Sequence, residues 1–302
     1  MKSLLLSNEQ TKVGIVPYEL RHHKNLASIA LDQLHWPLQH ADLNKPPSGC
    51  IAGLDENDYV VVYPSSTRLL RGFGRVKCKV ILLMTEPLAI QHRYYRLIWM
   101  LRYKFALILC RYERYSDTYA NVVQFDGVEP WVEGKNVDFT AVKTHSCSII
   151  SSGKTDLVGH KLRHEVIAWL RLRDYNVDVL GRGYKPFEQK QDGLLSYTYS
   201  VVIENVQESG YFTEKLLDCL ICGTLPIYWG APNISNYFNT DGMVICNDLA
   251  ELQRAIEVLL NGKSGSKELV DRTIIEHNRN AALAYSNLPK RIAHTILNIN
   301  RP

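Results

Sequence analysis

The densest group of residues able to do chemistry lies between positions 203 and 215. Ile203 is followed by Glu204-Asn205. Past a loop holding Ser209 and Gly210 comes Tyr211-Phe212-Thr213-Glu214-Lys215. The pattern is that of a buried strand ending in two polar residues, then a turn, then a helix opening at about Thr213, a suitable N-cap. A helix start presents free amides and the positive end of its dipole, and with a lysine beside them it suits a phosphate anion. A capped helix beside an ordinary solvated loop has the same appearance, so the residues alone leave both readings open.

Sulfur offers less. The seven cysteines, Cys50, Cys78, Cys110, Cys147, Cys219, Cys222 and Cys246, are odd in number and scattered. That is no disulfide framework, and it points to a reducing compartment. Cys219 and Cys222 have C-x-x-C spacing without a second pair of ligands to complete a zinc site; two core-facing thiols on a helix are expected. The run from Cys219 to Thr240 has no charge, but Gly223, Pro226, Gly230 and Pro232 make it untenable as a membrane span.

These residues need elements to hold them. In the first half, strands are predicted at Lys12–Val16, Tyr59–Tyr63, Val80–Met84, Phe105–Leu109 and Asn121–Phe125. Helices are predicted over Leu20–Trp36 and Ala89–Tyr103, where aliphatics recur at three and four residues. The second half repeats the alternation. Its predicted strands are Ser148–Ser152, Asn176–Leu180, Tyr199–Glu204, Pro226–Trp229 and Met243–Cys246. Its predicted helices are Asp156–Arg173, Thr213–Ile221, Asp248–Leu260, Lys267–Tyr285 and Lys290–Asn298. Short continuous strands alternating with helices imply parallel sheets covered on both faces. The expected architecture is α/β: two Rossmann-like, doubly wound domains, residues 1–140 and 141–302, facing each other across a cleft. Ligand sites then fall beyond strand carboxyl ends, at Gly181-Arg182-Gly183, Glu204-Asn205 and Gly230-Ala231-Pro232.

Composition agrees with two soluble domains: 302 residues, 46% hydrophobic and 22% charged. A net charge of +4 suits a small anionic ligand and is too weak for a nucleic-acid stripe. Arg93, Arg96, Arg102, Arg111 and Arg114 alternate with tyrosines; a plain amphipathic helix with snorkelling arginines is expected there, ahead of an acceptor-sugar surface. Arg21-His22-His23-Lys24 reads as solvated. The first ten residues lack a signal-peptide core.

The run Glu204-Asn205 through Tyr211-Phe212-Thr213-Glu214-Lys215-Leu216, followed by Pro226-Ile227-Tyr228-Trp229-Gly230-Ala231-Pro232-Asn233-Ile234, resembles the signature of the family 10 α-1,3-fucosyltransferases. Weaker likeness extends over roughly residues 146–262, through Leu162-Arg163 and Val177–Gly183. The resemblance implies a GT-B architecture and inverting transfer of L-fucose from GDP-fucose to a saccharide acceptor. It further implies that Lys215 and Arg163 pair with the pyrophosphate together with the amides at Thr213. Glu214 accepts from sugar or ribose hydroxyls, Asn205 and Tyr211 position the nucleotide sugar, and Glu204 orients ribose or neighbouring backbone. In the family the general base is a glutamate after a strand of the N-terminal domain, and Glu86 in Met84-Thr85-Glu86-Pro87 ends such a strand, with Glu113, Asp117 and Asp126 as weaker alternatives.

Departures from the family pattern are Thr198-Tyr199 for its basic–aromatic pair and Val206 for serine after Asn205. They keep open a relative that uses another nucleotide sugar, or a non-catalytic nucleotide-sugar-binding protein. No D-x-D dyad precedes a strand end, so no metal or other cofactor is expected. With no leader legible before its first domain, the chain is expected to be a cytoplasmic enzyme of bacterial or viral origin.

Overall fold

The apolar runs of the first half form one all-parallel sheet in the computed structural model, which describes residues 11–38, 48–67, 72–260 and 270–299. Its strands are β1 (Val13–Ile15), β2 (Tyr59–Val62), β3 (Lys79–Met84), β4 (Leu107–Cys110) and β5 (Val122–Gln124), lying side by side in chain order. Val61 sits opposite Ile81, and Ile81 opposite Leu107. Both faces are buried, so the strands read as continuous rather than alternating hydrophobic runs.

One face, with Val60, Leu82 and Ile108, packs under helix α1 (Leu88–Leu101) through Tyr95, Ile98 and Leu101. Right-handed crossovers that always step the same way keep their connections on one face. The other face, with Val61, Ile81 and Leu83, is covered by the C-terminal helix Leu288–Ile299 through Ile292, Ala293 and Ile296. A short helix α2 (Glu113–Thr118) links β4 to β5.

That packing moves the domain boundaries. The chain divides into residues 1–127 with 287–302, and Val128–Ser286. The break comes at Gly127 rather than near 140 because Val128, Val132 and Val137 belong to the second unit's core. The last helix joins the first unit because its apolar stripe closes that sheet.

The helix predicted over Leu20–Trp36 is instead three 3₁₀ turns, Tyr18–His22, Leu26–Ser28 and Leu31–Gln33. Its periodic aliphatics Leu26, Ile29, Leu31 and Leu34 are buried as expected. The backbone bonds go elsewhere: Ile15 and His35 exchange a pair at 2.9 Å, and the Leu31 amide donates to Gly49 at 3.0 Å. Long-range pairing wins over the helical period.

In the second unit β6 (His145–Ile150), β7 (Asp178–Leu180), β8 (Tyr197–Ile203), β9 (Leu225–Trp229) and β10 (Val244–Ile245) form a parallel sheet ordered β10-β9-β8-β6-β7. The chain steps from β6 to β7, then returns past β6 to β8, so the winding reverses between β6 and β8. Helices α3 (Val158–Leu172) and α5 (Leu249–Leu260) cover one face, packing Val166, Ile167, Leu252 and Ile256 on Ile149, Val201 and Ile227. Helix α4 (Glu214–Ile221) and α6 (Arg272–Leu283) cover the other, with Leu216, Leu217, Leu220 and Ala282 near Val202 and Tyr228. This unit is doubly wound. The helix expected from Lys267 starts at Arg272, where Asp271 caps it by accepting from the Thr273 amide at 2.9 Å; residues 267–269 lie outside the described residues.

Candidate active site

The carboxyl ends of β6 and β8, at the reversal of winding, are where an open α/β sheet offers a crevice. β8 delivers Glu204 and Asn205 there. Glu204 is fully buried, and both of its oxygens are taken by Thr213: Oε1 accepts from the backbone amide at 2.8 Å and Oε2 from the hydroxyl at 2.7 Å. The carboxylate therefore fixes neighbouring backbone. Thr213 is the N-cap of α4, its Oγ1 accepting from the Lys215 amide at 3.3 Å and from Lys215 Nζ at 2.9 Å. Lys215 Nζ also reaches Glu214 Oε1 at 3.1 Å and Glu204 Oε2 at 3.7 Å.

Burial pushes the Glu204 carboxyl up, against the pull of Lys215. Burial also opposes ionisation of Glu214, but Lys215, by charge and hydrogen bond, outweighs it and holds that carboxyl low. One carboxylate is thus locked into structure while its neighbour stays ionised at the helix start, with its side chain 19% exposed.

Glycine makes the close approach possible. Helix α3 enters against this strand end, with the Gly159 amide donating to the Asn205 carbonyl at 3.0 Å; a Cβ at Gly159 would stand 1.7 Å from the Glu204 carbonyl oxygen. One turn on, Arg163 is buried on the inner face of α3. Its Nε donates to the Ile203 carbonyl at 3.0 Å and its Nη2 to Asn205 Oδ1 at 2.7 Å. Burial lowers its affinity for the proton while Glu204, Tyr211 and Glu214 support the charge. Arg163, Glu204, Asn205, Tyr211, Thr213, Glu214 and Lys215 are thereby gathered in one place.

The loop between Asn205 and Thr213 is held at its helix end. The Gly210 amide, at φ +72°, donates to Asn233 Oδ1 at 2.7 Å. Phe212 is fully buried, edge-on to Tyr237, Phe238 and Tyr285 with ring centroids 4.9–5.5 Å away.

In the first unit Glu86 follows β3 and is half-buried. Its carbonyl accepts from the Tyr95 hydroxyl at 3.2 Å, and the preceding Thr85 carbonyl accepts from Arg111 Nη2 at 2.8 Å. Of the alternatives, Glu113 and Asp117 are exposed on α2, and Asp126 is half-buried after β5. Burial pushes the Asp126 carboxyl up, with Arg111 and Arg291 opposing. In the Arg–Tyr stretch Tyr95, Tyr112 and Tyr115 turn inward as a ring cluster at 5.1–6.2 Å and Arg93, Arg96 and Arg114 stay exposed, whereas Tyr103 is exposed and Arg111 is buried. The expected amphipathic helix holds for Arg93 and Arg96 on α1; Arg102 falls in a 3₁₀ turn, Arg111 is buried after β4, and Arg114 lies on α2. Cys219 and Cys222 are fully buried in the core.

Two residues of the site were not singled out from sequence. Asp218, fully buried in α4, accepts from the amides of Trp131 and Val132 at 2.8 and 3.0 Å through Oδ1, while Oδ2 has no partner among the described residues. Burial pushes its carboxyl up to about 6, with those amides and Lys190 opposing. A lone Asp in the apolar run Leu216–Ile221 was the available signal. Lys190 sits in the aperiodic stretch before β8 and left none. Among the described residues no group of three or more His, Cys, Asp or Glu could hold a metal ion, and no helix is long and apolar enough to cross a membrane.

Residues 142–270 match the model described as glycosyltransferase family 10 (fucosyltransferase) C-terminal. A stretch of 72 residues is 35% identical to the α-(1,3)-fucosyltransferase FucT of Helicobacter pylori, covering 24% of this chain and 15% of that protein. Over 184 residues the chain is 29% identical to α-(1,3)-fucosyltransferase B of Drosophila melanogaster, 58% of this chain and 40% of that protein. The chain thus spans well under two thirds of the length of these curated relatives. In fold it is similar to the crystal structure of S. aureus TarM in complex with UDP, with a TM-score of 0.56 and 12% identity over 82% of this chain and 56% of that one. The architecture is GT-B, with two parallel-sheet α/β units. The signature loop, the helix it caps and the sheet beneath it all lie inside the stretch that is similar to the C-terminal part of the family 10 glycosyltransferases.

Proposed function

We propose that the protein transfers L-fucose from GDP-fucose to a hydroxyl of a saccharide acceptor, with inversion at the anomeric carbon. The observation that carries this reading is the start of α4, where Thr213, clamped by buried Glu204, presents Lys215 and Glu214 beside Arg163 and Asn205. It is a prearranged site for a diphosphate leaving group. The acceptor oxygen attacks the anomeric carbon and gives its proton to the Glu86 carboxylate. The bond to the diphosphate breaks, and its electron pair departs with GDP.

Charge grows on the diphosphate during that step, and cations fixed in a partly desolvated site stabilise it most where it grows. Lys215 supplies a point charge; Arg163, two of whose donors brace Ile203 and Asn205, turns its remaining N–H groups to the phosphate. Glu214, kept ionised, accepts from a sugar or ribose hydroxyl, while Asn205 and Tyr211 position the nucleotide sugar. In this reading the reaction uses no metal or other cofactor. Glu86 acts as the single base that inversion needs, at a strand end steadied by Arg111 and Tyr95. The free, mostly buried cysteines favour the cytoplasm.

A second reading, transfer from another nucleotide sugar, is favoured by one observation: Val206, buried directly after Asn205, puts an apolar side chain where the family pattern has serine.

Two variants test the assignment. Glu86→Gln should bind GDP normally and lose at least about 100-fold in transfer rate, the usual worth of a general base. Lys215→Ala should lose GDP affinity and transfer together. Near-normal turnover by Glu86→Gln would place the base elsewhere.

A further inference from the structure

A second lysine occupies the crevice at the reversal of winding. Lys190 opens the 3₁₀ turn Lys190–Gly193, which carries the chain from β7 back across to β8. Its side chain and that of Lys215 line one cavity of about 20 Å³, walled by Ile150 at the end of β6, by Leu194 and by the last residues of β8. That volume holds a single oxygen-sized group.

The two lysines differ in their ties. Lys215 is held by Thr213 and Glu214. The Lys190 ammonium, among the described residues, donates no hydrogen bond and makes no ion pair; the Trp131 ring, with its centroid 5.4 Å away, is its defined neighbour. The carboxylates within electrostatic reach are committed elsewhere, Glu204 to Thr213, Glu214 to Lys215, and one oxygen of Asp218 to two amides. Burial accordingly holds the Lys190 proton affinity down. The half-buried ammonium gives up part of its hydration there, and an anion entering the cavity would supply the partner it lacks.

Resting on the donor reading above, we propose that Lys190 is a second cation for the donor diphosphate, taking the phosphoryl oxygen that enters the cavity between Lys190 and Lys215. It then gains its charge partner as the glycosidic bond breaks. Guanosine recognition does not involve it.

Calorimetric titration of GDP, GMP and guanosine into the wild type, Lys190→Met and Lys190→Arg tests this, with melting curves to check folding. Lys190→Met should weaken GDP about 10- to 100-fold, the range for a charge-assisted bond, leave guanosine unchanged, and reduce kcat with GDP-fucose. Lys190→Arg should recover most of the GDP affinity. Equal GDP affinity in Lys190→Met and a GDP-binding wild type would overturn the role of Lys190 alone. Parallel loss of all three ligands, or a lowered melting point without phosphate selectivity, would make Lys190 structural and overturn it too. A wild type that does not bind GDP would overturn the donor reading itself, and this inference with it.

Discussion

Asp218 shows how one side chain can link site and scaffold. It sits on the helix whose start carries Thr213, Glu214 and Lys215, and it holds the amides of Trp131 and Val132 in the segment entering the second unit. Its folded carboxyl, near 6 against 3.8, binds protons that the unfolded chain has released. Stability from this group is therefore present below pH 3.8 and is lost as pH rises to about 6. By neutral pH the loss is about 3 kcal/mol. Asp218→Asn keeps an acceptor for both amides and removes the titration. Its melting temperature should match the wild type near pH 4, and its advantage should grow to a plateau above pH 6. A difference that stays flat over this range would show that Asp218 does not titrate there. At this scale the signature residues were legible because Glu204, Asn205 and Thr213–Lys215 are contiguous runs. Arg163 was legible only through the family resemblance and Gly159 not at all, because both reach these residues only through folding.

Helix α3 and strand β8 meet so closely that the site depends on their spacing. Gly159→Ala would place a methyl group 1.7 Å from the Glu204 carbonyl oxygen. That is backbone, which cannot swing aside, so α3 must shift outward and carry Arg163 away from Asn205. The expected cost is about 1–3 kcal/mol, read as a lowered denaturation midpoint, with GDP affinity falling more than the loss of stability explains. Unchanged stability and affinity would show that the two elements tolerate the shift. The elements themselves were largely legible: the strand runs of both halves and the helices α1, α3, α4 and α5 fall where apolar periodicity puts them. The stretch from Leu20 to Trp36 was not, since its period of buried aliphatics is helical while its backbone pairs with Ile15 and Gly49. Period reports which side chains are buried, and says less about where the amides bond.

Across the whole molecule, the first unit is built from two separated pieces of chain. Its sheet, with strands in sequential order, would leave Val13, Ile15, Val61, Ile81 and Leu83 exposed on one face without the C-terminal helix. Ile296→Ala should cost about 2–5 kcal/mol by opening a cavity in that layer, seen as a lower melting transition of the first unit while GDP binding by the second persists. Two parallel-sheet units were foreseen from alternation; the return of the last helix to the first was not, because no local signal tells an amphipathic helix which sheet it will cover. Part of the weak positive charge, Arg163, Lys190 and Lys215, is collected at one strand edge.

The central claim, that this edge holds GDP-fucose for transfer, is tested most directly by offering a panel of nucleotide sugars with simple saccharide acceptors and reading products by mass spectrometry. GDP-fucose should give an acceptor heavier by one deoxyhexose, and UDP-sugars should give no product. Transfer from a UDP-sugar with GDP-fucose inert would contradict it.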